Sequence, residues 1–235
     1  MRKIIIILLL YTAALNAQNA AGRFIISVNA NYTTSSKLYL YPNADDIIVR
    51  SNYIAADKIF SPSLDLRYHL TENILIGLSS EKIEETRTGR NITVLTPRGT
   101  KTLAVEDGYR LIPFELSLHY ELPFSTERFR VYMGGGAAYY YGSRIRKFGD
   151  ASVSTAERKF AYGIQAIISS DFMITKYLSV RTEMKFRDPE FELRNRYDSS
   201  TINYEGEEVL ISQPEFDSKI NVDGVTFTLG LALHL

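Results

Sequence analysis

His69, His119 and His234 are the side chains best suited to chemistry, and they are the only histidines in 235 residues. Imidazole ligates transition metals and titrates near neutrality. All three sit on the polar parity of an alternating segment, near the same end of it. Three imidazoles at one height would suit a metal, yet no i, i+4 pair and no acidic ligand at fixed spacing accompanies them. Rim or interior residues satisfied by water and nearby carboxylates are the simpler reading, so no metal or other cofactor is expected.

A second set on the same parity is charged: Asp65, Arg67, Glu81, Glu115, Arg130, Arg181, Glu183 and Lys185, with Asp171, Arg187, Arg23 and Lys159 beside them. Opposite charges enclosed together should pair, because a buried ion without a partner is costly.

These side chains need strands to place them. Eight segments alternate with a period of two, the signature of a sheet with unlike faces. They begin near Phe24, Phe60, Ile74, Ile112, Phe129, Phe160, Leu178 and Val225. The last runs Val225, Phe227, Leu229, Leu231, Leu233 and Leu235 against Thr226, Thr228, Gly230, Ala232 and His234. Pro62 and Pro113 are irregular for paired strands and predict late starts or bulges there. Connectors alternate too: short turns at Thr71 to Asn73, Pro123 to Arg128 and Phe172 to Lys176, and long polar segments near 35–57, 83–109, 143–157 and 188–218. An even strand count with short turns at one rim and long loops at the other is the outer-membrane pattern.

Met1-Arg-Lys, the apolar run Ile4 to Leu10 and small residues up to Ala17 read as an export signal, residues 1–17. Residues 18–235 then form one barrel domain. No stretch is long and apolar enough to span as a helix, so a membrane protein made from this chain must span as a closed barrel. There is no cysteine, which removes disulfides, thiolate metal sites and a lipidation site. Twenty-seven basic and 27 acidic residues give a formal net charge of zero without a basic patch, and nucleic acid is not an expected partner.

Period two alone does not say which face meets lipid; a water-soluble carrier barrel would turn its apolar face inward. Aromatics decide for lipid outside. Tyr32, Phe60, Tyr139, Tyr141, Phe160 and Phe186 gather at the loop ends of the strands, and Tyr68, Tyr120, Phe129 and Tyr177 at the turn ends. Paired girdles suit two membrane interfaces. Glycines on the polar face (Gly77, Gly134, Gly136, Gly163 and Gly230) would make room for long charged side chains.

Signal, eight strands and closing strand together resemble the small outer-membrane β-barrels of the OmpA/OmpX/OmpW kind, the porin-like outer-membrane β-barrel domain, over essentially all of residues 18–235. The resemblance implies an all-β, eight-stranded antiparallel up-and-down transmembrane barrel with short periplasmic turns and long extracellular loops, in the outer membrane of a Gram-negative cell. It also implies that the last strand is read by the barrel-insertion machinery. Gly224, Phe227, Leu229, Leu231 and Leu233 fit that signal, while Leu235 stands where the family usually has an aromatic.

Barrel enzymes of this general kind place a histidine near the outer rim, and none lies there; Glu81 or Asp150 would have to serve as base. The chain is therefore read as non-enzymatic. An eight-stranded barrel is only about wide enough for side chains to fill, which favours a lumen plugged by paired charges over a narrow porin-like channel. Specific work then falls to the loops, rich in Tyr39, Tyr41, Tyr53, Tyr197 and Tyr204. They suit an extracellular protein or glycan, while Arg144, Arg146 and Lys147 suit phosphates of outer-membrane lipid or lipopolysaccharide.

Overall fold

The computed structural model describes residues 23–96, 99–204, 206–211 and 213–235. The expected export signal lies outside them. Among the described residues there are fourteen strands: β1 (Phe24–Tyr39), β2 (Tyr53–His69), β3 (Ile74–Glu81), β4 (Ile83–Thr96), β5 (Gly99–Glu121), β6 (Phe129–Lys147), β7 (Val153–Arg158), β8 (Tyr162–Met173), β9 (Leu178–Arg187), β10 (Glu190–Tyr197), β11 (Thr201–Tyr204), β12 (Glu207–Leu210), β13 (Glu215–Asn221) and β14 (Val225–His234). A single helical turn, Ile47–Arg50, caps the β1–β2 hairpin.

Eight strands close a ring in the order β1, β2, β3, β5, β6, β8, β9 and β14, all antiparallel. β14 seals it against β1, from Ile25 opposite His234 to Thr33 opposite Thr226. Three tight turns join the strands at one rim, closed by Leu70 N–H to Ile74 O, Leu122 N–H to Val131 O and Ile174 N–H to Leu178 O, each 2.8 Å. β9 and β14 have ten residues each, the length a tilted strand needs to cross a bilayer. Along β1 exposure alternates strictly: Phe24, Ile26, Val28 and Ala30 outward, Ile25, Ser27, Asn29, Asn31 and Thr33 inward. The apolar face is thus the outer one.

Three of the four long segments expected as loops are largely strands, and the first, near 35–57, is strand at both ends. β1, β2, β5 and β6 run on past the aromatic ends, and β4, β7 and β10 to β13 are added beside them. This outer storey inverts the pattern below it. On β5 the inward residues pass from His119, Ser117 and Glu115 to Leu111, Tyr109, Val105 and Leu103, with Asp107 the one charge among them; the outward ones pass from Leu118, Leu116 and Phe114 to Arg110, Glu106 and Thr102. Leu38, Ile59, Ile83, Leu111, Tyr140, Phe191 and Ile220 pack into one buried cluster there, and Val94, Leu103, Val105, Phe148, Tyr197 and Val209 into a second above it.

Breaks in the ladder mark the boundary. Both prolines lie inside long strands, β2 and β5, rather than at late starts. The β2–β3 register ends beside Pro62, at Ser63 opposite Glu81, and the Pro62 carbonyl accepts from Lys82 N–H at 3.1 Å. Pro113 falls where β5 changes neighbour from β3 to β4. Each proline therefore sits where a ladder bond is already missing. At the same level Thr34 and Lys58 drop out of the β1–β2 register, Lys58 with φ 60°, and both strands switch which parity faces inward. One extra residue between β13 and β14 makes a bulge near Gly224.

Candidate functional site

Inside the ring the polar face is stacked in layers. Nearest the turn rim Ile25, Leu75, Tyr132 and Ala232 form a small fully buried apolar floor. In register with it, His119 beside Leu75 and His234 beside Ile25, His119 Nε2 meets Ser117 Oγ at 2.8 Å and His234 Nε2 meets Ser179 Oγ at 2.9 Å. His234 Nε2 also lies 4.0 Å from Asp171 Oδ2. His69 Nε2 is buried without a partner. Among the described residues no group of three or more His, Cys, Asp or Glu side chains is placed to hold a metal.

The next layer is ionic. Arg67 bonds Asp65 through Nε at 2.9 Å and Glu183 through Nη2 at 2.6 Å. Arg181 reaches Asp65 at 2.6 Å and grips Asp171 with Nε and Nη2, both 2.7 Å. Fork on fork is the strongest form such a contact takes. Lys185 lies 2.5 Å from Glu115 and 3.7 Å from Glu183. Arg187, fully buried, holds Glu81 at 2.8 Å and Glu115 at 3.2 Å, and Ser61 donates to Glu81. The pairs are linked through shared carboxylates into one chain from Asp171 to Glu81.

Three expected members fall elsewhere. Arg130 is half-buried with no ion pair among the described residues. Lys159 pairs with Glu192 on the outside, and Arg23 is exposed at the rim, 3.5 Å from the Tyr68 hydroxyl. The glycines also serve differently from expectation. A Cβ on Gly77 would come within 3.1 Å of His119 Nε2, one on Gly134 within 3.0 Å of His119 Nδ1, and one on Gly230 within 2.0 Å of Asn29 Oδ1. Gly77 makes room for Ser117 and His119, Gly230 for Asn29, Gly134 and Gly136 for the β5 carbonyls of Leu118 and Leu116, and Gly163 for the Tyr140 ring, rather than for the ion pairs. On β14 the column Phe227, Leu229, Leu231 and Leu233 points outward to the apolar exterior with Leu235 beyond it, while Gly224 sits at the bulge.

The outer storey holds a second buried ionic cluster that the loop reading missed. Asp107 accepts from Arg144 Nη2 at 2.6 Å and from Arg146 Nε and Nη2 at 2.7 and 3.0 Å. Arg146 also reaches the Tyr197 hydroxyl at 3.0 Å and lies 4.5 Å from the Phe216 ring centroid. Arg144 and Arg146 are therefore not available to lipid phosphates; both are turned inward onto Asp107. Burial pushes the Asp107 carboxyl up, but hydrogen bonds and charge from Arg146 and Arg144 outweigh it and hold the group below the usual carboxylate range. Strand parity was the signal that would have found it, since Asp107 shares the inward parity of Glu115 and His119.

Above this cluster a cavity of about 120 Å³ between Tyr41, Arg146, Tyr197 and Phe216 adjoins an open groove of about 590 Å³. The groove is lined by Tyr41, Asn43, Arg194, Gln213, Glu215 and Asp217 among others. Aromatic rings with a few convergent polar groups are the usual make-up of a binding cleft.

No family model matches the chain, and no curated protein matches it in sequence. Among solved structures it is similar to the outer membrane protein OprG from Pseudomonas aeruginosa, at TM-score 0.61 and 14% identity over 92% of this chain and 96% of that one. Lower scores relate it to Neisserial surface protein A (0.48, 10% identity, 90% and 97% covered) and to the E. coli Outer Membrane Protein W (0.40, 15% identity, 92% and 98% covered). The first likeness, with the closed ring and its apolar exterior, establishes the fold as that of a small outer-membrane β-barrel.

Proposed function

We propose that this outer-membrane barrel is a sealed, non-enzymatic scaffold whose outer storey serves as an interaction surface for an extracellular protein or glycan. The observation that carries the reading is the state of the lumen. The void left between Asn29, Asp65, Arg67, Ser79, Arg181 and Lys185 is about 10 Å³, roughly the 10–15 Å³ a single water requires. Conduction needs a continuous polar path that ions can enter and leave, and linked ion pairs occupy that path.

The outer storey supports the second half of the reading. It is built around two apolar clusters of its own, and its cleft sets the β1–β2 connection from Leu40 to Ala44 against Arg194 of β10 and Glu215 to Asp217 of β13; the strand side is a rigid element, which holds its geometry better than a loop does. On the same reading the outward column from Phe227 to Leu233 is what the barrel-insertion machinery engages.

The test is to refold residues 18–235 in detergent, verify folding by heat-modifiable gel mobility, and record single-channel currents in planar bilayers. Folded protein without discrete openings, and without turnover of lipid A or phospholipid, is the expected result. Stable openings altered by Glu115→Gln or Arg181→Met would overturn it in favour of a narrow pore.

A further inference from the structure

The membrane face between β2 and β5 is grooved. The groove has a volume of about 520 Å³ and its apolar lining is Ile26, Leu64, Leu66, Leu78, Phe114 and Leu116. Ser80 borders it too, in the outward column of β3 after Ile74, Ile76 and Leu78, so a bulky side chain is missing from the wall there.

Each column around the groove carries a cation toward its outer end, followed on the β3 column by a carboxylate. On β2 the outward order is Leu64, Pro62, Phe60 and then Lys58; on β3 and onward it is Leu78, Ser80, Lys82 and Glu84; on β5 it is Leu116, Phe114, Ile112 and Arg110. The ladder sets these columns side by side, with Lys82 N–H on the Pro62 carbonyl and Glu84 in register with Arg110. Lys82 is therefore level with Pro62 and Arg110 with Glu84, while Lys58 lies four residues beyond Pro62, so the three cations are strung along the outer end of the groove on either side of the Phe60 level.

Their charge is not fully answered. Glu84 is shared, 3.5 Å from Lys82 and 3.0 Å from Arg110. The Lys58 side chain is exposed and has no ion pair among the described residues; Asp57 beside it is exposed, and Arg87, which donates to the Asp57 carbonyl at 3.1 Å, is matched by Glu85 at 2.8 Å. Cations at this height on other faces are matched: Lys37 with Asp223 and Lys159 with Glu192, both 2.5 Å. Arg158 lies over the Tyr141 ring and donates to the Gly142 carbonyl. Among the described residues, the β2 to β5 face combines a hollow apolar wall with excess positive charge above it.

We infer that this face binds one phosphorylated, acylated lipid of the outer leaflet, with an acyl chain in the groove and phosphate on Lys58, Lys82 and Arg110. The inference rests on the outer-membrane reading, and it names a ligand class and a face for it. A chain seated in a groove keeps contacts that a flat wall would lose, and cations at headgroup height attract anionic lipid.

The experiment extracts the full chain from an outer membrane into mild detergent and titrates it, by native mass spectrometry, with hexa-acylated bisphosphoryl lipid A and its dephosphorylated form. One bisphosphoryl lipid per barrel is expected, bound about tenfold more tightly than the dephosphorylated one, from the attraction of two or three cations. Lys58→Glu with Lys82→Glu abolishes that preference; Lys176→Glu, at the opposite rim, keeps it. Where the double reversal does not fold, Lys58→Gln with Lys82→Gln supplies the comparison. Equal retention of both lipids, an undiminished preference in the double variant, or displacement by millimolar inorganic phosphate alone would overturn the proposal. Loss of heat-modifiable mobility in the unaltered protein would instead count against the membrane barrel itself.

Discussion

Glu115 and Asp107 lie on the same strand, face the same way and are both buried against arginine, yet they belong to opposite worlds. Glu115 is one link in a chain of charges inside a wall of Leu116, Leu118 and Phe114. Asp107 is a polar island among Val105, Tyr109 and Phe148 inside a wall of Glu106 and Arg110. The backbone is the same in both; the solvent outside differs. Facing lipid, a strand keeps its apolar residues out and must settle its polar ones inside, whereas facing water the hydrophobic effect sends the apolar ones in.

The comparison predicts that the two storeys fail differently. Arg181→Met leaves Asp65 and Asp171 short of their main partner in the lumen, and should cost about 4 kcal/mol of barrel stability, read as the urea midpoint in lipid vesicles. An unchanged midpoint would mean that water replaces the arginine and that the lumen is wetter than its packing implies. Phe191→Ala, in the outer core against Gly142, should cost about 3 kcal/mol but locally: proteases should cut β10 and β13 while heat-modifiable mobility persists. Simultaneous loss of both would merge the storeys into one cooperative unit.

Acid sharpens the contrast further. The Asp107 carboxyl is depressed in the folded protein, so its stabilisation is complete above the unfolded-chain value of about 3.9 and lost as pH falls through the lower folded value. Hydrogen exchange in β5 and β6 above the girdle should therefore rise below about pH 4, and Asp107→Asn should remove that step while raising exchange at neutral pH. The smallest effect belongs to the outside of the outer storey. Lys37 and Asp223 are about a third exposed, and Lys37→Ala should change stability by less than about 1 kcal/mol; a larger loss would show that this pair pins the bulge beside it.

How much could be read from sequence follows from the same inversion. All eight ring strands were legible, because Phe24 to Thr33 or Val225 to Leu235 alternate against lipid with few charges outside. The outer strands were hidden, because their exposed residues (Glu106 and Arg110 on β5, Glu192 and Arg194 on β10) look like loop composition. Their alternation was present all the same: Leu103, Val105, Tyr109 and Leu111, or Phe191, Leu193, Asn195 and Tyr197. Polarity averaged over a segment masked the period within it. The ion-pair candidates followed from parity, but which carboxylate meets which arginine depends on strand stagger, and stagger leaves no local trace. Arg144 and Arg146 share the inward parity of Tyr132 and Tyr140, which their basic, loop-like surroundings masked, and the β5–β6 register that sets Asp107 opposite Arg146 leaves no local trace.

β5 and β6 run unbroken from the turn rim to the outer storey, 23 and 19 residues long. Below the girdle β5 is laddered to β3 and β6 to β8. Antiparallel ladder bonds lie perpendicular to the strands, so a tug on anything held by the outer storey loads these ladders in shear. Many bonds then share the force and yield together, where a strand peeled from its end would lose them one at a time. If the outer storey binds as proposed, the hairpin is a tether as well as a wall.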